Sequence, residues 1–254
     1  MVPHPKTILF DLDDTLLNTY RHQDAEALWR EVIEQHTHAL PGVDGPALAN
    51  AIQQSARRIW HGLLESKIQP WQSMSDIRRD IVCAAFEDVG LDDNAGALRL
   101  ADTFTQRRED SFHIADGALN TLDHLRSANI RLALVTNGAS TSQRWKIEQF
   151  NLEPYFDHIQ IEEEAGFGKP DPRAYQHALA SLDADASNTW MIGDNYTWEV
   201  EAPQDHGIFA IWHNPTQLDV PNDAKRQPNH AIEHLNEIVD LFEISRRQDE
   251  GQEP

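Results

Sequence analysis

Cysteine is nearly absent from this sequence, since Cys83 is the only one among 254 residues. A single cysteine cannot close an intramolecular disulfide, so a disulfide-stabilised fold is excluded and a reducing compartment is indicated. Its neighbours Ile81, Val82 and Phe86 follow an apolar helical pattern. We therefore interpret Cys83 as a small buried side chain rather than a nucleophile.

Long apolar runs are also missing. None approaches the roughly 18–20 residues that a membrane-spanning helix requires. Residues 1–6 lead directly into a short apolar strand instead of the apolar core of a signal peptide. These features predict a soluble, cytoplasmic protein that does not have a membrane as a partner.

Positive charge is scarce as well, because 21 Lys and Arg residues face 42 Asp and Glu residues and the formal net charge is −21 at pH 7. A field of that sign repels nucleic-acid backbones, which excludes nucleic acid as an expected partner. It also repels phosphorylated metabolites. Any phosphate site in this chain therefore requires a local cation, either a metal ion or a placed lysine or arginine.

Two patterns divide the chain. A short apolar strand at residues 7–10 ends in an acidic cluster, after which residues 18–113 show helical periodicity and no convincing strand. Turn signals at Pro41-Gly42, Pro70 and Gly90 divide this stretch into roughly four helices. We interpret it as a helical insertion.

Strands and helices alternate from residue 117 onward. The predicted elements are strands at 130–135, 158–161, 189–192 and 209–212, with helices at 118–127, at 140–150, from Pro172, and at 233–246. The polar tail 247–254 is predicted to be disordered. This alternation predicts an α/β fold with a parallel, Rossmann-like sheet and right-handed crossovers.

Notable polar residues follow the strands of this sheet. Asp11 comes after the first strand, Thr136 after the second and Asp194 after the fourth, while Lys169 opens the helix after the third. Ligands of parallel sheets bind at the carboxyl ends of the strands. We therefore expect these four residues to converge on one edge of the sheet.

The spacing Asp11-x-Asp13 places two carboxylates just beyond a strand, where they repel each other unless a cation lies between them. Magnesium prefers such oxygen ligands, and Asp194 adds a third carboxylate. Lys169 supplies a positive charge, and Thr136-Asn137-Gly138 offers a hydroxyl and backbone N–H groups as a nest for phosphate oxygens. Taken singly, these features also fit a solvated acidic turn, a surface lysine and a strand-to-helix turn.

As a set, these residues resemble the four motifs of the haloacid dehalogenase (HAD) superfamily. They occur here in the same order: Asp11-Leu12-Asp13-Asp14-Thr15, Thr136-Asn137, Lys169-Pro170 and Gly193-Asp194. The resemblance covers residues 6–213. It implies a HAD-type α/β core domain formed by residues 1–17 and 114–254, with an α-helical cap domain inserted at 18–113.

The resemblance also implies the role of each residue. Asp11 would be the nucleophile that forms an aspartyl-phosphate, and Asp13 would act as general acid and then as general base, oriented by Thr15. Magnesium would be held by the Asp11 carboxylate, the backbone carbonyl of Asp13 and Asp194. The phosphate oxygens would be bound by Thr136, Asn137 and Lys169.

Two details refine this implication. Asp13 favours phosphoryl transfer, because haloacid dehalogenases typically lack this second aspartate. Many relatives carry a further aspartate five residues after the one that matches Asp194, whereas this chain has Glu199, which could order Lys169 or a metal-bound water. The cap segment also contains arginines and tryptophans, which fit helix surfaces and core packing, and none of them is assigned to the substrate.

The sequence from Thr136 onward is similar to the branch with acylneuraminate-9-phosphate phosphatases and pyrimidine nucleotidases. We therefore predict a Mg²⁺-dependent phosphatase for a small phosphate ester, either a sugar phosphate or a nucleoside monophosphate. The alternatives are a phosphomutase of the same fold and a non-catalytic HAD-fold binding protein. The sequence does not predict the oligomeric state.

Overall fold

A computed structural model describes residues 2–19, 22–36, 43–65 and 73–251. The chain forms two compact units, one made of Met1–Asn18 and His113–Pro254 and the other of Thr19–Phe112. The domain boundaries predicted from the sequence lie one residue away from this division. The predicted turns at Pro41-Gly42 and Pro70 fall outside the described residues. Whether the inserted unit acts as a cap stays a prediction.

The first unit is built on a six-stranded sheet in which every neighbouring pair is parallel. Its strands, in spatial order, are β5 (His158–Ile161), β4 (Arg131–Thr136), β1 (Thr7–Phe10), β6 (Thr189–Gly193), β7 (Phe209–His213) and β8 (His230–Ile232). The central strands β1 and β6 are buried along their whole length, which explains why they read as continuous apolar runs. The predicted α/β fold class is therefore confirmed.

Helices cover the connections between these strands. They are α5 (Ala118–Ser127), α6 (Ser140–Gln149), α7 (Glu162–Ala165), α8 (Pro172–Ser181), α9 (Ala202–Gln204) and α10 (Glu237–Glu250), with a π-helical stretch at Tyr196–Glu201. Helix α8 begins where the sequence predicts, because Pro172 occupies its first turn and the Asp171 carboxylate accepts the Arg173 N–H at 2.9 Å.

The last helix differs from its prediction. Helix α10 starts later than residue 233 and continues to Glu250, so the prediction of a disordered tail is wrong for residues 247–250. An ion pair of 2.6 Å between Arg246 and Glu243 and a bond from the Gly251 N–H to the Arg247 carbonyl at 3.2 Å support the extra turn. Residues 252–254 lie outside the described part.

A small second sheet was not expected from the sequence. Strand β2 (Leu17–Asn18) pairs in antiparallel fashion with β3 (His113–Ile114), and the Ala115 N–H donates to the Leu16 carbonyl at 2.9 Å. Two-residue strands are too short to produce a recognisable alternation in the sequence. The pairing ties together the two segments of the first unit that flank the insertion.

The second unit contains the helices α1 (His22–His36), α2 (Gly45–Glu65), α3 (Met74–Asp88) and α4 (Asn94–Asp110). Apolar side chains from all four helices form its core, among them Val32, Ile52, Val82 and Leu100. Cys83 is half-buried on α3, where burial raises the pKa of its thiol, a direction opposite to that of a reactive nucleophile. Among the described residues, no helix is both long and apolar enough to cross a membrane.

Candidate active site

The candidate site lies at the carboxyl ends of three adjacent strands. Asp11 follows β1, Thr136 is the last residue of β4 and Asp194 follows β6, and β1 lies between the other two. The Asp11 N–H continues the ladder by donating to the Ile192 carbonyl at 3.0 Å. The Asp194 carbonyl accepts the indole N–H of Trp212 at 2.8 Å. Distant parts of the sequence thus meet at one edge of the sheet.

Lys169 lies at the centre of this edge. Its Nζ is 2.5 Å from Asp11 Oδ1 and 2.7 Å from Glu199 Oε1, and its side chain has no solvent exposure. Burial opposes the positive charge, but the attraction of the two carboxylates and their hydrogen bonds outweigh it and raise the pKa of Lys169. Lys169 is therefore held as a cation against Asp11.

Asn137 holds the backbone of Lys169. Its side-chain Nδ2 donates to the Lys169 carbonyl at 2.6 Å, while its Oδ1 accepts the Lys169 N–H at 2.8 Å. Both polar ends of the Asn137 side chain are thus engaged. Gly168 precedes the lysine because a Cβ there would collide with Asn137 and Glu162.

In the loop after β4, two backbone N–H groups are bonded to carboxylates of the protein itself. The Gly138 N–H donates to Glu162 Oε2 at 2.9 Å, and the Ser140 N–H donates to Glu163 Oε2 at 2.5 Å. A carboxylate from α7 therefore occupies the Gly138 donor of the predicted nest, and whether the loop binds phosphate stays a prediction. Thr136 remains at the strand end as a buried hydroxyl.

Asp13 is held by two residues of α6 that the sequence analysis missed. Lys146 Nζ lies 2.7 Å and 2.8 Å from its two carboxylate oxygens, and Gln143 Nε2 donates to Asp13 at 2.9 Å. The same Gln143 nitrogen lies 2.8 Å from Thr136 Oγ1. Residues three apart share a helix face, so the spacing of Gln143 and Lys146 after a site-forming strand was the available signal.

Thr15 does not orient Asp13 as the resemblance implies. Its side chain is fully buried, and its Oγ1 has no hydrogen-bond partner within the described part of the chain. The contacts of Asp13 come from Gln143 and Lys146 instead.

Glu199 occupies a position that Gly193 makes possible. A Cβ at residue 193 would overlap the Glu199 side chain, which is completely buried within the π-helical stretch. The longer side chain of glutamate reaches Lys169 from this position. The sequence analysis suggested that Glu199 could order Lys169, and the structure brings these two side chains together.

Several carboxyl groups lie close together at this edge. Burial raises the pKa of Asp194 to about 8, and the nearby carboxylates of Asp11 and Glu199 add to the increase. The pKa of Glu199 rises to about 7, chiefly through burial, although Lys169 partly opposes the rise. Burial also raises the pKa of Asp11. Three carboxylates thus surround a single lysine.

These positions lie within a stretch that matches a known family. Residues 5–207 match the family model described as haloacid dehalogenase-like hydrolase. The chain belongs to this family. The resemblance expected from the motifs is confirmed, and the chain is a HAD-like hydrolase.

Relatives of this HAD-like hydrolase match it over nearly the full length. The chain is 27% identical over 240 residues to the HAD-hydrolase YfnB of Bacillus subtilis, covering 94% of this chain and 96% of that protein. It is 26% identical to the pyrimidine 5'-nucleotidase PynA of Streptococcus pneumoniae, covering 94% and 95%. It is 29% identical to a phosphoserine phosphatase of Thermus thermophilus, covering 92% and 97%.

A solved structure supports the fold of this HAD-like hydrolase. The crystal structure of Bacillus subtilis YfnB bound to magnesium superposes with a TM-score of 0.67 at 24% sequence identity, covering 94% of this chain and 99% of that one. At that level of identity the similarity concerns the fold.

The donor set of the HAD-like hydrolase fits a hard divalent cation. Asp11 and Asp194 offer carboxylate oxygens, and burial and then the charge of Asp11 raise the pKa of Asp194, which a bound cation would counter. Lys169 is already shared with Glu199. Within the described residues, no three His, Cys, Asp or Glu side chains form a metal-type cluster.

Proposed function

We propose that this HAD-like hydrolase is a Mg²⁺-dependent phosphatase that hydrolyses a small phosphorylated metabolite through an aspartyl-phosphate on Asp11. The observation that carries the proposal is the buried ion pair between Asp11 and Lys169, with Asp13 two residues away. A strand-end carboxylate fixed by a buried cation is positioned as a nucleophile. The named activities of the phosphatase and nucleotidase relatives support the same reaction class.

In the first step, Asp11 forms a bond to phosphorus. Lys169 engages Oδ1 of Asp11, so Oδ2 lies outside this ion pair and is the oxygen assigned to the attack. The bond between phosphorus and the ester oxygen breaks, and Asp13 gives a proton to the departing oxygen. An alkoxide leaving group needs that proton, which is why Asp13 supports phosphoryl transfer.

In the second step, the aspartyl-phosphate is hydrolysed. Asp13, now ionised, takes a proton from water, and the resulting hydroxide attacks phosphorus and releases the Asp11 carboxylate. Lys146 and Gln143 keep the Asp13 side chain in one place during both steps. Because they act through Asp13, we assign them as positioning residues.

Magnesium would be held by the carboxylates of Asp11 and Asp194 and by the backbone carbonyl of Asp13. When bound, it would supply positive charge that stabilises the transferring phosphoryl group. Lys169 and the Thr136 hydroxyl would bind phosphate oxygens. Asn137 contributes by fixing the Lys169 backbone, since its own side chain is already engaged.

The substrate class is a small phosphomonoester, with sugar phosphates and nucleoside monophosphates as the candidates. The pyrimidine nucleotidase relative favours a nucleotide, whereas the phosphoserine phosphatase relative favours a smaller ester. The helical unit is proposed as the cap that selects the leaving group.

A substrate screen tests the proposal. The purified chain would be incubated with Mg²⁺ and a panel of sugar phosphates, nucleoside monophosphates and p-nitrophenyl phosphate, and free phosphate would be measured. Asp11→Asn should abolish phosphate release while its circular dichroism spectrum stays unchanged. Asp205→Asn, an exposed carboxylate paired with Arg226, is the matched control and should retain full activity.

Two results would end the proposal. Phosphate release that survives in Asp11→Asn would remove Asp11 as the nucleophile. An isomerised sugar phosphate formed without free phosphate would identify a phosphomutase instead.

A further inference from the structure

The carboxyl end of β7 bonds to the backbones of two loops of the candidate site. The Trp212 indole N–H donates to the Asp194 carbonyl at 2.8 Å, and Nδ1 of His213 lies 3.2 Å from the Asp14 carbonyl. Two neighbouring residues of one strand thus contact the loop after β6 and the loop after β1. The second contact involves the residue next to Asp13, and it comes from a side chain that the sequence analysis did not single out.

His213 is almost fully buried, with 4% of its surface exposed. Burial lowers the pKa of its imidazole, and the positive charge of His234 adds to the decrease, whereas the bond to the Asp14 carbonyl and the charge of Glu237 oppose it. The ring is therefore neutral at pH 7. Because a carbonyl oxygen only accepts, the single ring proton is assigned to Nδ1 and is donated to Asp14.

Asp14 has a backbone conformation that needs support from its surroundings. Its φ of +57° lies in the left-handed region, which a residue other than glycine adopts at some cost in free energy. Its N–H donates to the Leu17 carbonyl at 2.7 Å, and its carbonyl accepts from His213. Both hydrogen-bonding groups of the Asp14 backbone are thus engaged, and together these two bonds fix the turn after β1.

This turn determines where Asp13 stands. The Asp13 carbonyl and the Asp14 N–H belong to one planar peptide unit, so the bonds of Asp14 also orient that carbonyl. The carboxylate of Asp13 is held at its tip by Lys146 and Gln143. Hydrogen bonds at the tip of a side chain leave the backbone beneath it to be fixed by other contacts. The placement of Asp13 therefore also depends on the bond that His213 donates.

Packing alone is the competing explanation for a buried histidine. His4 illustrates it, because this half-buried residue precedes β1 at the opposite edge of the sheet, and its Nδ1 lies 3.0 Å from Ser245 Oγ. His213 differs from His4 in its acceptor, which belongs to the turn that carries Asp13. The two histidines therefore form a matched pair, one beside the candidate site and one remote from it.

We propose that His213 is a positioning residue for Asp13, which acts by holding the Asp14 carbonyl and thereby the turn after β1. It acts through the backbone and takes no part in proton transfer. The kinetic part of this inference rests on the proposed phosphatase function. The support of the Asp14 turn by His213 does not.

The hydrogen bond can be tested by NMR in the full chain without requiring turnover. In the wild type, the nitrogen-15 shifts of the His213 ring should identify the neutral form with its proton on Nδ1. The amide of Asp14 should exchange slowly with solvent. The Asp157 amide, which donates to the Leu132 carbonyl at 2.8 Å, serves as the internal reference for global unfolding.

Two substitutions distinguish the hydrogen bond from packing. The side-chain nitrogen of asparagine is as many bonds from Cα as Nδ1 of histidine, whereas the nitrogen of glutamine corresponds to Nε2. His213→Gln should lose the bond and raise the exchange rate of the Asp14 amide about tenfold relative to the reference amide. His213→Asn should keep most of the protection. His4→Leu is the control and should leave the Asp14 rate unchanged.

Kinetics then connect the turn to the reaction. With a substrate found in the phosphate-release screen, His213→Gln should lower kcat about tenfold with KM nearly unchanged. His213→Asn should recover most of this loss. A role in packing alone predicts the reverse order, because glutamine is closer to histidine in size. His4→Leu should keep the wild-type kcat.

The possible outcomes separate this inference from the phosphatase proposal. If no phosphate is released by any protein but Asp14 exchange accelerates in His213→Gln, the phosphatase proposal fails and the support of the turn remains. Faster Asp14 exchange with an unchanged kcat would remove the positioning role. The inference would be overturned by a His213 proton on Nε2, by unprotected Asp14 in the wild type, or by equal protection in His213→Gln and wild type. The wild-type measurements decide the matter even if His213→Gln does not fold.

Discussion

The charge imbalance around Lys169 in the α/β unit is opposite in sign to the one around Arg78 in the helical unit. In the α/β unit, Lys169 lies between the carboxylates of Asp11 and Glu199, and Asp194 adds further negative charge. In the helical unit, the half-buried Arg78 has no described carboxylate partner and is repelled by Arg108. Buried charge that the protein itself leaves unbalanced indicates the sign of the missing group. Carboxyl groups are in excess in the first region, whereas burial and Arg108 act against the positive charge of Arg78 in the second.

Of the effects predicted here, those of removing Lys169 on stability and on phosphate release should be the largest. Lys169→Met leaves two buried carboxylates without a counter-charge, so we expect the free energy of unfolding to fall by about 3–5 kcal/mol. Phosphate release should fall by about 10²–10³-fold, because a preorganised cation is lost. Urea denaturation and a phosphate assay measure the two effects.

The control for this variant is Lys225→Met, which changes an exposed lysine and should leave both quantities unchanged. Adding Glu199→Gln to Lys169→Met should restore part of the lost stability, since one of the unpaired carboxylates disappears. A Lys169→Met protein as stable as the wild type would contradict the idea that this lysine balances buried charge.

Binding of Mg²⁺ should produce the next largest effect, an increase in the free energy of unfolding. A cation that binds the folded chain at 100 times its dissociation constant raises the free energy of unfolding by about 2.7 kcal/mol. We expect Mg²⁺ to raise the thermal midpoint of the wild type and EDTA to reverse the change. Asp194→Asn should lose most of this increase, while Asp205→Asn should keep it. An increase of equal size in Asp194→Asn would place the ion elsewhere.

Removing the ion pair that holds Asp13 should have a smaller effect, which is expected in kcat. Lys146→Met removes the ion pair to both Asp13 oxygens, so we expect kcat to fall about 10–100-fold with KM nearly unchanged. Lys146→Arg should recover part of the rate, which a merely structural role would not predict. Arg144→Gln, on the same helix but paired with Glu164, serves as the control.

Stability measurements distinguish a role of Lys146 in the reaction from a role in the fold. The Asp13 side chain is 35% exposed, so its ion pair with Lys146 should contribute no more than about 1 kcal/mol to folding. A Lys146→Met protein that unfolds in mild urea would show that Lys146 supports the fold. A fall in KM and kcat together would indicate that it touches the substrate.

The sequence could predict the strand-end residues because their placement follows from topology alone. Once the alternation implies a parallel sheet, Asp11, Thr136 and Asp194 must share an edge, whatever their side chains do. The same argument needs no knowledge of rotamers. Lys169 follows in the same way, from its position just ahead of the helix after the third predicted strand.

Side-chain contacts were less predictable, for physical reasons. Helix α6 is polar on most of its surface, so its hydrophobic pattern does not reveal that Gln143 and Lys146 face the site. The bond made by the Gly138 N–H was not predictable, because its acceptor Glu162 lies 24 residues away in sequence. Strand β8 contains three residues and shows no alternation.

The smallest effect should appear in the helical unit. There, removal of a positive charge should raise the free energy of unfolding instead of lowering it. Arg78→Gln removes a half-buried positive charge that no carboxylate balances, so we expect the free energy of unfolding to rise by up to about 1 kcal/mol. The pKa of Arg78, about 10 in the folded chain, lies below its ordinary value, so this destabilisation is fully present below pH 10. Urea denaturation at pH 7 therefore measures it completely.

Arg79→Gln provides the comparison on the same helix, since it breaks exposed ion pairs with Asp102 and Asp76 and should not raise the stability. Loss of a positive charge would then destabilise the chain at Lys169 and stabilise it at Arg78. If Arg78→Gln instead unfolds more easily than wild type without any ligand, Arg78 supports the helical core, and the opposite imbalance of the two units disappears.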